Sequence, residues 1–540
     1  MNESVHFQSW SVVEGGWIRP RSPIDGKALT PIPVTPPEEV REVVRRAKLA
    51  QAGWAKRSLE ERVRALRRGA RAILERRDEV LALMREEVGK LEVDALMSEV
   101  IGPLDQLNAW ARVVRQGMRR EWVSLNPIAF PRKAAYIDRV PRGVVGIIAP
   151  WNYPVATLFR SVFPALLTGN AVVFKPSEYA SQTERWVAER LAEGLPPDLL
   201  FVVMGGKETG IALIESGIDA CVFTGSVASG REVAARCASR LIPCSVELGG
   251  KDAAIVLEDC DLERTIAGVT HWSLHNVGQA CGAIEIAYVE ERIADAFVEG
   301  LVGAWEKLRV GPMPPGDVDI SPLSHAKQLK VVMEHVEDAV AKGARLVCGG
   351  RRVEREGSPM GCFYEPTILD HCRPGMRVVD EETFGPVLAV VRVSGAAQAI
   401  EFVNRGRYGL TASIWTRDIA RAERLAEQLD VGVVTINNHA LTGGIPALPW
   451  SGTKDTGPGV ANGVASLHTF TRPRSVLIDR NRTPELYWMP YDRELWELGN
   501  LLADLQVGQR LHAAWKLPLM IRSRVKKLGE FYRSVTRRTK

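Results

Sequence analysis

A cysteine set among small residues is the clearest chemical feature of this sequence. Cys281 ends the segment Asn276-Val277-Gly278-Gln279-Ala280-Cys281, which follows Glu247-Leu248-Gly249-Gly250-Lys251 by about thirty positions. A thiolate can attack a carbonyl carbon, and small neighbours let a substrate and the backbone N–H approach the sulfur. A carboxylate such as that of Glu247 can later activate water. The two segments together predict acyl chemistry.

Four further motifs accompany these two segments. They are Pro150-Trp151-Asn152-Tyr153-Pro154, Lys175-Pro176-Ser177-Glu178, Phe223-Thr224-Gly225-Ser226 and Glu381-Glu382-Thr383-Phe384-Gly385-Pro386-Val387. In order and spacing the six motifs resemble the aldehyde dehydrogenase superfamily, whose signatures include a glutamate in E-L-G-G-K and a nucleophile in G-Q-x-C. The resemblance covers roughly residues 20–482. Six motifs in register over such a length leave little room for chance.

The resemblance implies NAD-dependent oxidation of an aldehyde to the carboxylic acid. The Cys281 thiolate would attack the aldehyde, hydride would pass to NAD, and water activated by Glu247 would hydrolyse the thioester. Asn152 and the backbone N–H of Cys281 would donate to the oxyanion, and one such donor typically lowers a barrier by about 3–4 kcal/mol. The apolar, glycine-rich setting of Glu247 can raise its pKa by desolvation.

The resemblance also implies a set of cofactor-binding residues. Lys175 and Glu178 would contact the adenosine ribose hydroxyls, where a carboxylate accepts from a free 2′-OH and repels a 2′-phosphate. NAD is therefore expected, and NADP is the alternative. The other expected cofactor residues are Glu382 at the nicotinamide ribose, Phe384 beside the nicotinamide, and Trp151, Gly225 and Ser226 in the cleft.

Two residues are candidates for the substrate pocket. Arg160 lies eight positions after Asn152, where it could hold a substrate carboxylate or hydroxyl or form a structural salt bridge. Trp450 stands where the family usually has a phenylalanine, so it should narrow or flatten the pocket. Glu285 stands near a position where many members carry Arg or Lys, which indicates altered oligomer contacts or an altered substrate entrance. A semialdehyde and an aliphatic aldehyde both remain open as substrates.

Apolar patterns predict the elements that position these groups. Residues 37–116 have apolar positions every three or four residues, which predicts packing helices. From residue 142 onward, short β-branched runs alternate with helical segments, which predicts a parallel sheet with crossover helices. The expected strands are 144–148, 171–174, 200–203 and 220–223 in the first α/β unit, and 253–256, 286–289, 387–391 and 433–436 in the second.

The predicted fold class is α/β, with a Rossmann-like NAD-binding domain, an α/β catalytic domain and a small β oligomerisation extension. Gly225 and Ser226 end a strand and open a helix, where backbone N–H groups can face a diphosphate. By resemblance, the β extension should mediate a homodimer or homotetramer. The expected boundaries are 1–121 and 142–249 for NAD binding, 250–449 for catalysis, 122–141 and 470–482 for the β extension, and 485–540 for a basic C-terminal extension.

Composition argues against several other classes of protein. The chain has 540 residues, 46% of them hydrophobic and 25% charged, which is ordinary for a globular protein. Residues 1–10 lack a basic and apolar leader pattern, and no run reaches the roughly 18 apolar residues of a spanning helix, so a cytoplasmic protein is expected. Eight cysteines show no C-x-x-C pair and no metal-ligand spacing with histidine. Neither a zinc site nor a disulfide framework is predicted.

Charge is concentrated at the C-terminus. The net charge is +5, but residues 509–540 hold ten Lys and Arg with Glu530 as the single acid, which leaves about −4 for the rest. A mildly acidic body argues against nucleic-acid binding. Aliphatic and aromatic residues beside this basic cluster could contact an anionic membrane peripherally, and a solvated tail is the alternative. Within the expected helix 492–505, one face should carry Leu495, Leu498, Leu502 and Leu505.

Two other functions remain open. A CoA-acylating or reductive relative would run the thioester towards a thiol or towards the aldehyde, but CoA-acylating relatives generally lack the glutamate at the position of Glu247. Stimulation of turnover by free CoA would distinguish them. A non-enzymatic protein on the same fold would have no need of Cys281, Glu247 and Asn152 together.

Overall fold

A computed structural model of the chain describes residues 12–127, 129–311, 317–354, 360–509 and 511–537. Contacts divide these residues into two compact units. The first comprises the described residues up to Arg119 together with Arg139–Arg472, and the second comprises Arg120–Asp138 with the described residues from Pro473 onward. No helix in the described ranges is long and apolar enough to cross a membrane.

Helices open the first unit, as the apolar spacing predicts. Val63, Leu66 and Ile73 lie buried on one face of the second helix, and Ser58 caps its N-terminus in a reciprocal bond with Glu61. The helices are α1 (Pro37–Trp54), α2 (Leu59–Glu75), α3 (Arg77–Val88), α4 (Glu92–Asp94), a π-helical turn (Ala95–Ile101), α5 (Gly102–Asp105) and α6 (Leu107–Gly117). A small antiparallel sheet precedes them, formed by β1 (Val13–Glu14), β2 (Trp17–Ile18) and β3 (Ile32–Pro33).

A five-stranded parallel sheet follows, with crossover helices between its strands. Its strands are β6 (Val144–Ile148), β7 (Ala171–Lys175), β8 (Leu200–Val202), β9 (Ala220–Thr224) and β10 (Cys244–Glu247), in the order β10-β9-β6-β7-β8. The helices are α7 (Ala156–Leu167), α8 (Ser181–Ala192), α9 (Lys207–Glu215) and α10 (Val227–Ser239). The four strands expected from sequence occur within one residue of their predicted ends. The strand order reverses between β6 and β9, which makes that edge the ligand crevice of a doubly wound sheet.

A seven-stranded sheet forms the rest of the first unit. Its strands, in spatial order, are β13 (Arg345–Cys348), β14 (Thr367–Asp370), β15 (Val387–Val393), β12 (Ile284–Glu290), β11 (Asp252–Val256), β17 (Thr411–Trp415) and β18 (Val433–Ile436). All neighbours are parallel except β13 and β14. The helices are α11 (Leu262–Leu274), α12 (Glu291–Trp305), α13 (Ala326–Ala341), α14 (Arg377–Asp380), α15 (Ala396–Arg405), α16 (Ile419–Ala426) and α17 (Gly463–Phe470). Short pairs join β16 (Tyr408–Gly409) to β20 (Thr453–Lys454) and β19 (Trp450–Ser451) to β21 (Val460–Ala461).

The second unit contains a small sheet and the two helices of the C-terminal extension. The sheet contains β4 (Glu121–Val123), β5 (Lys133–Pro141) and β22 (Thr471–Asp479), and α18 (Arg493–Gln506) packs against α19 (Leu517–Arg537) after a short 3-10 helix, Leu511–Lys516. Leu498 is buried as expected, but its buried neighbour on α18 is Leu501, and Leu502 is 40% exposed. The predicted leucine face was therefore wrong at Leu502, because Leu501 takes the buried position beside Leu498 instead.

Candidate active site

Two edges of the sheets carry the sequence motifs. At the carboxyl edge of the five-stranded sheet, Trp151 and Asn152 follow β6, and Gly225 and Ser226 follow β9. These loops flank the point where the strand order reverses. At the amino edge of the seven-stranded sheet, Cys281 precedes β12, the segment from Glu382 to Phe384 precedes β15, and Glu247 stands at the end of β10 shortly before β11.

A cavity of about 710 Å³ brings most of these residues together. Ten of the twelve predicted site residues line it: Cys281, Glu247, Asn152, Trp151, Gly225, Ser226, Glu382, Phe384, Arg160 and Trp450. Lys175 and Glu178 lie outside its lining, at the carboxyl end of β7, with Lys175 Nζ 3.7 Å from Glu178 Oε2. The buried ammonium of Lys175 also donates to the carbonyl of Pro176 at 2.8 Å.

A left-handed turn positions the thiol. Asn276, Val277 and Gly278 have φ values of 52°, 59° and 70°, a conformation that is costly for a β-branched residue. A Cβ on Gly278 would stand 2.2 Å from the carbonyl oxygen of Gly385, so only glycine fits there. The Asn276 amide donates to the carbonyls of Asn152 at 2.9 Å and Gln279 at 3.1 Å, which holds the strained turn in place.

Burial controls the protonation of the two expected catalytic groups. It raises the pKa of the Cys281 thiol to about 12, although the nearby Arg160 opposes the shift. Burial also raises the pKa of Glu247, again opposed by Arg160, whose Nη2 lies 3.0 Å from Glu247 Oε2. A carboxylate with a raised pKa is a stronger base, so it takes a proton more readily from a thiol of high pKa or from water.

Asn152 is fixed through both its side chain and its backbone. Its Nδ2 donates to the carbonyl of Gln279 at 2.9 Å, which uses one of the two amide hydrogens. Its own carbonyl accepts from the Lys90 ammonium at 3.1 Å. The second amide hydrogen is therefore available to an oxyanion in the cavity.

A buried ion pair behind Asn152 was missed from the sequence. Lys90 pairs with Glu99, and both side chains are almost fully buried. The second oxygen of Glu99 accepts from the backbone N–H groups of Val155 and Ala156, both at 2.9 Å, at the start of α7. The pair thus anchors the middle of the loop after β6 at Asn152 and its end at the start of α7. These contacts join residues too far apart along the chain to be matched by spacing or periodicity.

A second missed group is a hydrogen-bonded chain at the cavity wall. The Tyr153 hydroxyl lies 2.8 Å from His275 Nδ1, and His275 Nε2 lies 2.8 Å from Asp94 Oδ1. Both Tyr153 and His275 line the cavity. Lys90 Nζ stands 3.8 Å from the centre of the Tyr153 ring, a cation–π contact that joins this chain to the ion pair behind Asn152.

Glu285 does not line the cavity but supports the segment that carries Phe384. It is buried, pairs with Lys251 and accepts from the backbone N–H groups of Thr383 at 2.8 Å and Phe384 at 2.7 Å. These bonds hold Phe384 at its φ of 54° beside Trp151, with ring centres 5.6 Å apart. The signal in the sequence that could have indicated this role is Lys251 of the E-L-G-G-K motif, the ion-pair partner of Glu285.

The crevice fits a dinucleotide. Ser226 caps α10, so the positive end of that helix faces the edge where β9 ends. Gly249 allows a close approach, because a Cβ there would stand 2.3 Å from the Glu382 carboxylate. Glu382 accepts from the Gly250 N–H at 2.9 Å, and burial raises its pKa to about 8. Such a carboxyl group can hydrogen bond to ribose hydroxyls.

Comparisons with known proteins agree with this arrangement. A sequence model described as the Aldehyde dehydrogenase family matches residues 12–476. The chain is 37% identical over 490 residues to a 4,4'-diapolycopene aldehyde oxidase of Methylomonas sp, covering 90% of this chain and 91% of that protein. It is 36% identical to a Mycobacterium ulcerans protein whose name gives succinate semialdehyde and NADP, covering 86% of this chain and 89% of that one.

A solved structure shares the fold closely. The Mycobacterium tuberculosis aldehyde dehydrogenase complexed with NAD+ has a TM-score of 0.81 and 33% sequence identity, covering 87% of this chain and 96% of that one. The resemblance and the α/β fold class expected from sequence are confirmed by these matches. The chain belongs to the aldehyde dehydrogenase family and is an aldehyde dehydrogenase, an oxidoreductase that acts on aldehydes.

Proposed function

We propose that this enzyme oxidises its aldehyde to the carboxylic acid with NAD, through a thioester on Cys281 that Glu247-activated water hydrolyses. The observation that carries the proposal is the placement of Cys281, Glu247 and Asn152 around one cavity. The division into NAD-binding, catalytic and oligomerisation parts and the expected homodimer or homotetramer belong to the same proposal. Oligomerisation is typical of the family.

The residues act in a fixed sequence. Cys281 reacts as its thiolate, and Glu247 is held as the unprotonated base for the later water step. The Cys281 sulfur attacks the aldehyde carbon, and the Asn152 amide with the Cys281 backbone N–H donate to the oxyanion. A bound nicotinamide supplies the hydride acceptor. Glu247 then takes a proton from the water that cleaves the thioester, and the Cys281 thiolate leaves.

We further propose that the aldehyde is uncharged and largely apolar. Among the described residues that line the cavity, Arg160 is the one with a permanent positive charge. Its charge is already opposed by Glu247 at 3.0 Å, and its guanidinium carbon lies 5.4 Å from the centre of the Trp450 ring. A substrate carboxylate would compete with Glu247 for this arginine. The remaining wall is rich in apolar groups, among them Met97, Tyr153, Trp272, Leu441 and Trp450.

The two relatives named above differ on this point. Diapolycopene aldehyde is a long apolar polyene, whereas succinate semialdehyde carries a carboxylate at its far end. The compensated charge of Arg160 supports the first class for this chain. A role for Arg160 in positioning Glu247, rather than in holding substrate, follows from the same contact.

An aldehyde panel tests the activity and the substrate class together. We expect NADH formation with long aliphatic or polyene aldehydes, and a kcat/KM at least about tenfold lower with a carboxylated aldehyde of similar length, since one buried unpaired charge costs more than about 1.4 kcal/mol. Free CoA should leave the rate unchanged. A preference for the semialdehyde would overturn the substrate class, and stimulation by CoA would overturn the hydrolytic route.

The same panel, run with both cofactors, tests Glu178. NAD should give the higher kcat/KM, because the Glu178 carboxylate beside β7 repels a 2′-phosphate. Glu178→Gln should narrow the difference between NAD and NADP. Glu189→Gln, which changes an exposed carboxylate on α8, is the matched control and should leave the ratio unchanged. Equal efficiency with both cofactors in the parent enzyme would contradict the assignment.

We also propose that the C-terminal extension contacts an anionic bilayer. A loop at 486–491 exposes aromatic side chains, with Tyr487 58%, Trp488 48% and Tyr491 68% accessible. The buried Arg524 of α19 fixes this loop, because its guanidinium donates to the carbonyls of Leu486, Trp488 and Pro490. Residues 511–540 carry nine Lys and Arg against one acid. Exposed rings beside a basic helix are typical of a surface that lies in lipid headgroups.

Co-sedimentation with vesicles of mixed phosphatidylcholine and phosphatidylserine tests this contact. The full-length enzyme should pellet with anionic vesicles at low salt and be released as salt rises. Arg522→Glu with Arg533→Glu should abolish pelleting, whereas the control pair Arg41→Glu with Arg64→Glu, exposed on α1 and α2, should not. Equal pelleting of both pairs, or none by the parent enzyme, would leave the extension without a membrane role.

A further inference from the structure

Three cysteines from one strand–helix–strand crossover meet in the core of the first unit. Cys221 lies on β9, Cys237 on α10 and Cys244 on β10. Their sulfur atoms all lie within 4.8 Å of one another. The spacing of these residues in the sequence contains no ligand motif, so only the β9–α10–β10 crossover brings them together.

The backbone sets this spacing in two steps. Cys221 and Cys244 are direct partners across the parallel strands β9 and β10. Cys237 lies in the last turn of α10, and the Ile242 N–H donates to its carbonyl at 2.9 Å, which closes the chain tightly before β10. The third sulfur is thereby placed against the other two.

The surroundings suit a soft metal ion. Cys221 and Cys237 are fully buried among apolar side chains such as Ile218 and Phe223, and Cys244 is partly exposed. Thiolate sulfur prefers ions such as Cu(I) and Zn(II). With metal–sulfur bonds of about 2.3 Å, three sulfurs around one ion stand about 4 Å apart. The sulfur–sulfur distances therefore need only a small decrease to bind one ion. The partly exposed Cys244 makes the site accessible to the ion from solvent.

We propose that Cys221, Cys237 and Cys244 form a three-thiolate site for one soft metal ion, with Cu(I) the best fit because three sulfurs complete its trigonal coordination. Binding releases the thiol protons, so no oxidant or reductant is needed. The site lies away from the expected chemistry, because Cys221 and Cys244 each stand three residues from the strand ends that carry Thr224 and Glu247, roughly 10 Å along a strand. The ion would tie β9, α10 and β10 together rather than join turnover.

A Cu(I) competition titration on the reduced full-length enzyme tests the site. Against a chromophoric Cu(I) chelator under anaerobic conditions, the parent enzyme should retain one equivalent more than Cys244→Ser does. Cys244 is the substitution of choice because it is partly exposed, so the fold tolerates the change best. Cys260→Ser, a buried cysteine outside the cluster, is the matched control and should retain the parent's full equivalent.

A second measurement keeps the outcome clear. Cu(I) should raise the Tm of the parent enzyme and of Cys260→Ser, but not that of Cys244→Ser, because only a ligand bound to the folded state stabilises it. Equal Cu(I) retention by the parent and Cys244→Ser would overturn the proposal. The proposal would also be overturned if air oxidation removed two hydrogen atoms by forming a disulfide between two of Cys221, Cys237 and Cys244, and the reduced parent held no copper. The cluster would then be a redox dithiol pair.

Discussion

Cys281→Ala should abolish aldehyde oxidation while leaving NAD binding intact. The thiol is the proposed nucleophile, and loss of a covalent nucleophile typically lowers kcat by about 10⁵-fold or more. The cofactor contacts expected at Gly225, Ser226 and Glu382 do not involve the sulfur. Steady-state NADH formation measures the first effect, and calorimetric titration with NAD measures the second.

Cys372→Ser is the matched control for this change. Cys372 is buried just after β14 and does not line the cavity. The control should keep turnover within a few-fold of the parent enzyme. Turnover by Cys281→Ala close to that of the control would refute covalent catalysis at this position.

The strands that carry the site could be predicted, because their signal is local. Val144–Ile148 and Val433–Ile436 have the predicted ends, and the other six expected strands differ by at most two residues at an end. Short β-branched runs between helical segments mark buried parallel strands directly in the sequence. The motif loops at the ends of those strands could therefore be located from the sequence, and the family resemblance implied that they meet at one site.

The supports behind the site could not be predicted, because they depend on contacts across the fold. Lys90 lies between α3 and α4, and Glu99 lies in the π-helical turn, in a part of the chain where most charged residues face solvent, yet both are buried. At Glu285 the sequence indicated altered oligomer contacts or an altered substrate entrance, but it could not show that this carboxylate accepts from the backbone N–H groups of Thr383 and Phe384. The sequence left open whether Arg160 forms a structural salt bridge. Only the structure identifies Glu247 as its partner.

Glu247→Gln should separate the two halves of the reaction. Glutamine keeps an oxygen that can accept from Arg160, so the buried arginine stays paired, but it cannot take a proton from water. We expect up to one equivalent of NADH per active site followed by a stall, because acylation precedes the water step. Mass spectrometry of the stalled enzyme should find the acyl group on Cys281. Glu263→Gln, an exposed change at the start of α11, should turn over like the parent.

The pH dependence gives the same assignment an independent check. Burial raises the folded-state pKa of Glu247, so the parent's deacylation should be slow at low pH, where this carboxyl is protonated, and should rise as pH passes that pKa. In Glu247→Gln this pH-dependent rise in deacylation should disappear. Only a slow hydrolysis of the acyl-enzyme should remain, with a rate that increases with hydroxide concentration. A variant with steady turnover near the parent rate and no burst would assign the base elsewhere. A variant with neither burst nor turnover would instead move the essential role of Glu247 to activation of the Cys281 thiol, whose pKa of about 12 makes it a poor nucleophile without a base.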